Sequence, residues 1–480
     1  MPDPTIRARC RGSQRSVAPS HNATGFGIWQ IPHSFRRLFL GGAMIAVATA
    51  CGGSGPLHDR PAGPSAVPVG ELTRSVWLPA GFGDEIQLGT RDRQLLLELG
   101  INQMQWLQRA EDDAGSAEAQ ALAFASEHGL SLPLYYEPPG FSPYDKLHNW
   151  AGRNETEDSF DADVTTRVEA LVARWGGQSG FGGYLIGHED YRVASYDALA
   201  RTVRVLRDVD SLRPAVVVGR LNNYARKREF LEALFADGGE PNHFQHEHYV
   251  FGGDVPTAWG SELRDRVKAL AHSYDGVARD LRDRPGRWHA VVQVHGEDRD
   301  GVVFYRNPTA AEIRLQAGLA LSRGASGIVY FLYSSGEEVI YHSDGSVRQR
   351  RDYHGLVDLA RETSGRYDAV RELNAKLEAV SGVLAPLYFR GGYVAEHAPV
   401  DEPIGCEAAD VDLAFFGDLS RSTHVLVVNR NTSVAREIEL QLRPGTSWID
   451  ATDGELLAWE TDRTTVTVEA GGLLLLARRP

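Results

Sequence analysis

Between residues 75 and 380, short apolar runs alternate with amphipathic segments of helical period, and the alternation recurs eight times. The runs lie at 75–78, 101–108, 130–136, 182–187, 214–219, 243–250, 288–294 and 327–333. Helical segments follow them at 92–99, 117–128, 163–175, 196–209, 225–236, 261–282 and 310–323, with an interrupted eighth at 355–361 and 367–380. Gly100, Gly129 and Gly324 stand just past three of these helices, where a residue that tolerates positive φ ends a helix most easily. A helix after every strand returns the chain to the same end of the sheet, so neighbouring strands run parallel. Eight such units predict a (β/α)8 barrel, the TIM barrel of the α/β class. An open doubly wound sheet would want a Gly-rich phosphate turn after its first strand, and residues 81–84 (GFGD) lack the third Gly of that pattern.

After residue 385 the period changes. Runs at 413–416, 424–428, 437–442, 464–468 and 473–476 are short, apolar or alternating, with turn residues at 429–432 (NRNT) and 452–455 (TDGE). They predict a small C-terminal antiparallel β-sandwich, whose commoner role is to pack on the barrel. A chain of 480 residues that is 42% hydrophobic can bury one large core and a satellite. The expected divisions are an export segment over 1–51, a flexible linker over 52–70, the barrel over 71–384 and the β domain over 385–480.

The export segment rests on Arg36 and Arg37 followed by the apolar run 38–50 (LFLGGAMIAVATA) and small residues beyond it. The run is too short to span a bilayer, which needs about 20 apolar residues. Ala48-Thr49-Ala50-Cys51 resembles a bacterial lipobox. That resemblance implies a lipidated Cys51, a Gly/Pro/Ser tether behind it, and a cell-envelope lipoprotein whose membrane partner is reached through the lipid.

The formal net charge is -14 and no basic stripe is present, which argues against a nucleic-acid partner. Three cysteines, Cys10, Cys51 and Cys406, cannot build a disulfide framework or a metal finger. No cofactor motif is present, and no cofactor or metal is expected.

In a barrel of this class the chemistry sits at the C-terminal ends of the strands. Those ends carry Trp106 on the second strand, Tyr136 and Glu137 on the third, and His188, Glu189 and Asp190 on the fourth. Arg220 and Asn222 follow the fifth, and Glu247, His248 and Tyr249 the sixth. His295 and Glu297 follow the seventh, and Tyr333 ends the eighth. Aromatic faces that stack on a pyranose, with amides, carboxylates and imidazoles for its hydroxyls, suit an oligo- or polysaccharide substrate. Counting by two along strand seven points Gln293, His295 and Glu297 toward the barrel axis, and along strand four Leu185, Gly187 and Glu189. On strand six the count aims His243, Gln245, Glu247 and Tyr249 inward. Glycoside cleavage uses one protonated carboxyl and one carboxylate that serves as nucleophile or base. Glu189 and Glu297 are the candidate pair.

Gly187-His188-Glu189-Asp190 resembles the fourth-strand end of the large retaining glycoside hydrolase clan built on this barrel, with His188 where the clan usually has Asn. Glu247-His248-Tyr249 is similar to the clan's sixth-strand His-x-Tyr region, and residues 320–333 and 372–384 resemble its last barrel unit and the helix leading to the β domain. The resemblance implies that Glu189 is the acid/base and Glu297 the nucleophile of a retaining enzyme.

Two other functions remain open. His243, His246 and His248 lie close enough in sequence to hold a metal for a hydrolase. A barrel without turnover could instead be a glycan-binding surface lipoprotein.

Overall fold

The computed structural model describes residues 69–78, 88–106, 117–135, 157–188, 193–223, 227–235, 243–282, 284, 287–342, 344–443, 446–451 and 462–479. Every described residue belongs to one compact unit, which lies within 42–480. The expected export segment, Cys51 and the expected linker up to residue 68 lie outside the described residues. Among the described residues no helix is long and apolar enough to cross a membrane.

The chain runs β1 (Thr73–Leu78), α1 (Thr90–Glu98), β2 (Gln103–Trp106), α2 (Ala117–His128), β3 (Leu132–Tyr135), α3 (Glu157–Trp175) and β4 (Phe181–His188). It continues α4 (Val193–Val209), β5 (Ala215–Gly219), α5 (Lys227–Leu234), β6 (His243–Glu247), α6 (Ser261–Leu281) and β7 (Arg287–Gln293). Two short strands, β8 (Gly296–Arg299) and β9 (Val302–Tyr305), precede α7 (Ala310–Leu321) and β10 (Gly327–Phe331). A hairpin of β11 (Gly336–Tyr341) and β12 (Val347–His354) leads to α8 (Gly365–Leu384).

Eight strands form one parallel sheet in the order β2-β1-β10-β7-β6-β5-β4-β3. A bridge from Gln103 to Ser131 brings β3 beside β2 and closes the ring. The period of two sorts each strand. Trp288, Ala290, Val292 and Val294 pack between sheet and helices, as do Tyr184 and Ile186. Val291 and Leu185 join Trp77, Tyr135, Val216, Val218 and Val329 inside the barrel. The fold is the (β/α)8 barrel that the alternation predicts.

Two departures from the sequence reading matter. The segment 355–361 is not helical: Val357 bridges Ser334 and Thr363 as extended chain, and α8 starts at Gly365. The larger one is a four-stranded antiparallel sheet, order β11-β12-β8-β9, which the sequence reading did not anticipate. It belongs to the connections that follow β7 and β10, hence to the mouth of the barrel. Its β8–β9 turn is Asp300-Gly301, with φ of 50° and 77°, the two positive values a two-residue hairpin turn of right-handed twist requires.

The β domain comprises β13 (Tyr388–Val394), β14 (Ile404–Gly405), β15 (Val411–Gly417), β16 (Ser422–Asn429), β17 (Arg436–Leu442), β18 (Trp448–Asp450), β19 (Arg463–Val468) and β20 (Leu473–Arg478). They form a five-stranded sheet, β13-β15-β16-β20-β18, against a three-stranded one, β14-β17-β19. The antiparallel sandwich expected after residue 385 is therefore present. Alternation along β15 and β16 has two apolar destinations. Val411, Leu413, Phe415, Val425 and Val427 fill the sandwich, while Ala414, Phe416, Leu426 and Val428 join the core of the barrel's helices.

Helix α7 is consequently buried on nearly every side, and its apolar residues are spread around the helix rather than along one stripe. Its start is fixed by a capping box in which Thr309 accepts from the Glu312 amide and Glu312 accepts from the Thr309 amide. Two glycines permit the close approach of the β domain. A Cβ at Gly318 would lie 2.9 Å from Val428 Cγ1, and one at Gly392 only 1.8 Å from the Ser322 carbonyl oxygen. Beside this contact Arg323 and Arg430 both hold the fully buried Asp412.

Candidate active site

The strand ends place the candidate residues unequally. Glu189, Asp190, Tyr136 and Glu137 lie outside the described residues. Trp106 and His188 are placed by their backbones at the ends of β2 and β4, and Asn222 in the turn after β5. A register shift in β4 corrects the count along strand four. Leu185 stands opposite Val216, but Gly187 stands opposite Val217 and His188 opposite Val218. Val216 and Val218 face the interior whereas Val217 faces the helices. The bulge absorbs one residue, so Gly187 leaves the inner register that the count from Leu185 gave it, and Glu189 lies beyond the described residues.

Glu297 also owes its place to something other than strand parity. Barrel strand β7 ends at Gln293, and Glu297 sits on β8 of the rim sheet. It is directly opposite Tyr353 on β12 and Tyr305 on β9. Opposed residues of an antiparallel pair share a face. Tyr353 belongs to the interior cluster with Trp77, Val291 and Leu332, so that face looks into the barrel. Glu297 is 3% exposed. Arg299 Nε donates to its Oε1 at 2.5 Å, and Arg351 Nε stands 3.9 Å from the same oxygen. The guanidinium of Arg299 in turn lies on the Phe304 ring. This ion pair supplies the countercharge that a carboxylate needs once removed from water.

An aromatic wall surrounds this carboxylate. Tyr249 stacks on Phe331 with centroids 5.7 Å apart, and His295 meets Tyr249, Phe331 and Tyr305 edge-on at 5.1, 4.8 and 5.8 Å. Trp77 meets Phe331 at 5.8 Å. His295 Nδ1–H donates to the Phe331 carbonyl at 3.0 Å. Burial holds its imidazole well below the ordinary range, at about 3, so it is neutral at working pH. Glu247, the last residue of β6, is buried and has the inward parity of Gln245 and Tyr249. It acts electrostatically on the Tyr305 phenol, as Glu297 does.

The histidines do not assemble as metal ligands. His246 faces α6: its Nδ1 accepts from the Leu221 amide at 3.2 Å, which leaves Nε2–H to donate to Ser273 Oγ at 2.8 Å. Both ring nitrogens are taken. His248 Nε2 accepts from Arg220 at 2.8 Å, and burial beside that guanidinium lowers its imidazole to about 4. His243 points the other way, into the barrel, against His289 at 4.8 Å. Among the described residues no group of three or more His, Cys, Asp or Glu is placed to hold a metal ion.

Tyr333 corrects a further expectation. It lies in the core on the helix side, and its hydroxyl donates to Asp92 Oδ1 at 3.1 Å, the oxygen that Arg361 Nε holds at 2.7 Å. It braces α1 and does not line the mouth. Tyr333→Phe should therefore leave KM unchanged and reduce unfolding stability by about 1 kcal/mol, the usual net worth of one buried hydrogen bond. Urea unfolding beside steady-state kinetics checks both halves.

The sequence reading missed Arg299, Tyr305, Arg351 and Tyr353, all on the rim sheet. Their signal was available in Asp300-Gly301 and Asp344-Gly345, Asp-Gly pairs flanked by residues of high β propensity.

No family model matches the sequence, and no curated protein sequence matches it. Among solved structures the chain is similar to a family 42 β-galactosidase from G. stearothermophilus at 9% identity, covering 88% of this chain and 100% of that one with a TM-score of 0.56. An α-amylase from Geobacillus thermoleovorans is similar at 11% identity, 85% and 98% coverage and a TM-score of 0.48. A family 39 glycoside hydrolase from Bacteroides cellulosilyticus follows at 9% identity, 85% and 81% coverage and a TM-score of 0.45. The likeness to the β-galactosidase is one of fold.

Proposed function

We propose that this protein is a retaining glycoside hydrolase that cleaves an oligo- or polysaccharide at the mouth of its barrel. The observation that carries the reading is Glu297, a carboxylate 3% exposed, paired to Arg299 and turned toward an aromatic wall. An ion-paired carboxylate turned to the barrel mouth is placed to attack an anomeric carbon, so Glu297 is the nucleophile. The acid/base is Glu189, the residue that follows the last of β4. The partly exposed Tyr249, Phe331 and Tyr305 rings supply the apolar faces that a pyranose stacks on. In the first step Glu297 bonds to C1 as the glycosidic oxygen leaves with the proton of Glu189. In the second, water deprotonated by Glu189 displaces Glu297 from C1.

The reading is tested by hydrolysis of a broad panel of glycans and aryl glycosides by the purified protein. Turnover with retained anomeric configuration supports it. Tight binding of one glycan with no turnover would replace the hydrolase by a glycan-binding protein.

The N-terminal residues support an exported lipoprotein anchored through Cys51. Cys51→Ala should move the protein from the membrane to the soluble fraction of fractionated cells. A variant that stays membrane-bound would sink the anchor.

A further inference from the structure

The face of the rim sheet that carries Glu297 continues outward along β8 and β12. Arg299 and Arg351 stand opposite each other in register, one same-face step from Glu297 and Tyr353 and so about 7 Å farther along. Their contacts keep them on that face. Arg299 Nε donates to Glu297, and Arg351 Nη1 donates to the Tyr353 hydroxyl at 3.4 Å and to Glu338 Oε2 at 3.3 Å. Arg351 Nε donates to Gln349 Oε1 at 3.1 Å, which takes the row a further step from the nucleophile. Arg299, Arg351 and Glu338 keep 29%, 21% and 29% of their side-chain surface exposed. By alternation the opposite face carries Asp298, Asp352 and Val303.

Phe304 stands beside this row. The register shift between Glu297 and Asp298 makes it the extra residue of β9. Its ring meets Tyr305 at 4.6 Å and lies under the guanidinium of Arg299, so it belongs to the face of Glu297. Its backbone is fixed, since the Gly253 amide donates to the Phe304 carbonyl at 3.0 Å and a Cβ at Gly253 would collide with the Val303 oxygen. Phe304 is nevertheless 41% exposed. An anchored ring, covered on one face by a cation and otherwise open to water, is suited to stack on the apolar face of a pyranose. We propose that Phe304 is a stacking platform for a sugar unit beyond the cleaved bond, and that Arg351, Glu338 and Gln349 hydrogen-bond the chain there, so that the protein selects a polysaccharide over a short glycoside. The assignment rests on the hydrolase reading above for the chemistry at Glu297, whereas the platform itself is a matter of binding. The occupant is a glycan because the row is continuous with the site of Glu297 and its groups are polar; an apolar protein segment would meet guanidinium and carboxylate groups instead.

The test uses the whole protein with the best aryl glycoside of the panel and with oligosaccharides of the same sugar, from the dimer to the hexamer. The parent's kcat/KM should rise with chain length. Phe304→Leu keeps the apolar bulk and should cut the ratio of hexamer to aryl-glycoside kcat/KM at least about fivefold, the worth of an aromatic contact, while Phe304→Trp should retain the ratio. Val303→Ala, on the opposite face, should leave it within about twofold of the parent. A second readout separates the platform from the chemistry: in the Glu297→Gln background, Phe304→Leu should weaken hexamer binding at least about fivefold by isothermal titration. A parent with no length dependence, or Phe304→Leu values within about twofold of their references in both readouts, overturns the platform and leaves the hydrolase reading standing. A parent that binds the hexamer and cleaves nothing overturns the hydrolase reading, and the titration then decides the platform alone. Should Phe304→Leu fail to fold, Gln349→Ala carries both readouts with an expected loss of about threefold, the worth of one hydrogen bond.

Discussion

Glu297→Gln should lower kcat by on the order of 10⁴-fold or more on any glycoside the parent cleaves, since a reaction that proceeds through a covalent bond to one group fails without it. The fold should survive. The glutamine carbonyl can still accept from Arg299 Nε, and the neighbouring Tyr305 and Tyr353 keep their packing. In Glu297→Ala, added azide should restore turnover and yield the glycosyl azide of inverted configuration, because a small anion can enter the space left by the removed side chain. Glu189→Gln should cost about 10²–10⁴-fold, the range of a general acid, and should spare substrates with good leaving groups most. Turnover indifferent to Glu297→Gln would remove the mechanism and move attention to Glu247.

The second large effect is on stability. Asp412→Ala should destabilise the protein by about 3–5 kcal/mol, the cost of breaking a buried ion pair by removing one partner. Asp412 is fully buried. Arg430 Nε holds Oδ2 at 2.7 Å and Arg323 Nη1 holds it at 3.0 Å, while Arg323 Nε also meets Asp275 at 2.9 Å. Without the carboxylate, two guanidinium groups with 2% and 7% exposure would face each other across the contact between α7 and the five-stranded sheet. Chemical denaturation is the measurement, and a loss under about 1 kcal/mol, the size expected of a surface pair, would show that the network is dispensable.

The same group sets part of the pH dependence. The two arginines hold the Asp412 carboxyl below its usual range against the opposing effect of burial. Its contribution is therefore complete above the unfolded value of about 3.9 and is lost as pH falls through the lower folded value. Buried neutral histidines add an earlier loss. His243 and His295 are lowered by burial to about 4 and about 3, and His246 and His289 are lowered as well. An unfolded chain takes up those protons from about pH 6.5 downward, so stability should begin to decline there and fall further near pH 4. The parent and Asp412→Ala should share the first decline and differ in the second.

Much of this protein was legible in its residues because periodicity reports burial directly. Val291 against its neighbours Ala290 and Val292 separates barrel interior from helix-side core, and the same alternation on β6 places Glu247 inward and Phe244 outward. The eight units, the parallel sheet and the antiparallel sandwich follow from such patterns. Parity failed where the ladder is irregular. The β4 bulge moves the count by one at Gly187, and the chain leaves β7 at Gln293 before it reaches Glu297. Neither event has a strong local signature, because a bulge is chosen by the neighbouring strands as much as by its own residues.

The sequence by itself determined the barrel and the appended β domain and offered Glu247, Tyr249, His295 and Glu297 as candidates, since burial and strand direction are written in short-range alternation. Only the tertiary structure decided which of them share a site. Tyr333 and His246 turn to the helices, where Asp92 and Ser273 satisfy their polar atoms, while Glu297 is carried over the mouth by a sheet whose strands β8 and β12 are separated by about fifty residues. Such pairings depend on hydrogen-bond ladders between distant segments, and no local pattern encodes which distant segment will answer.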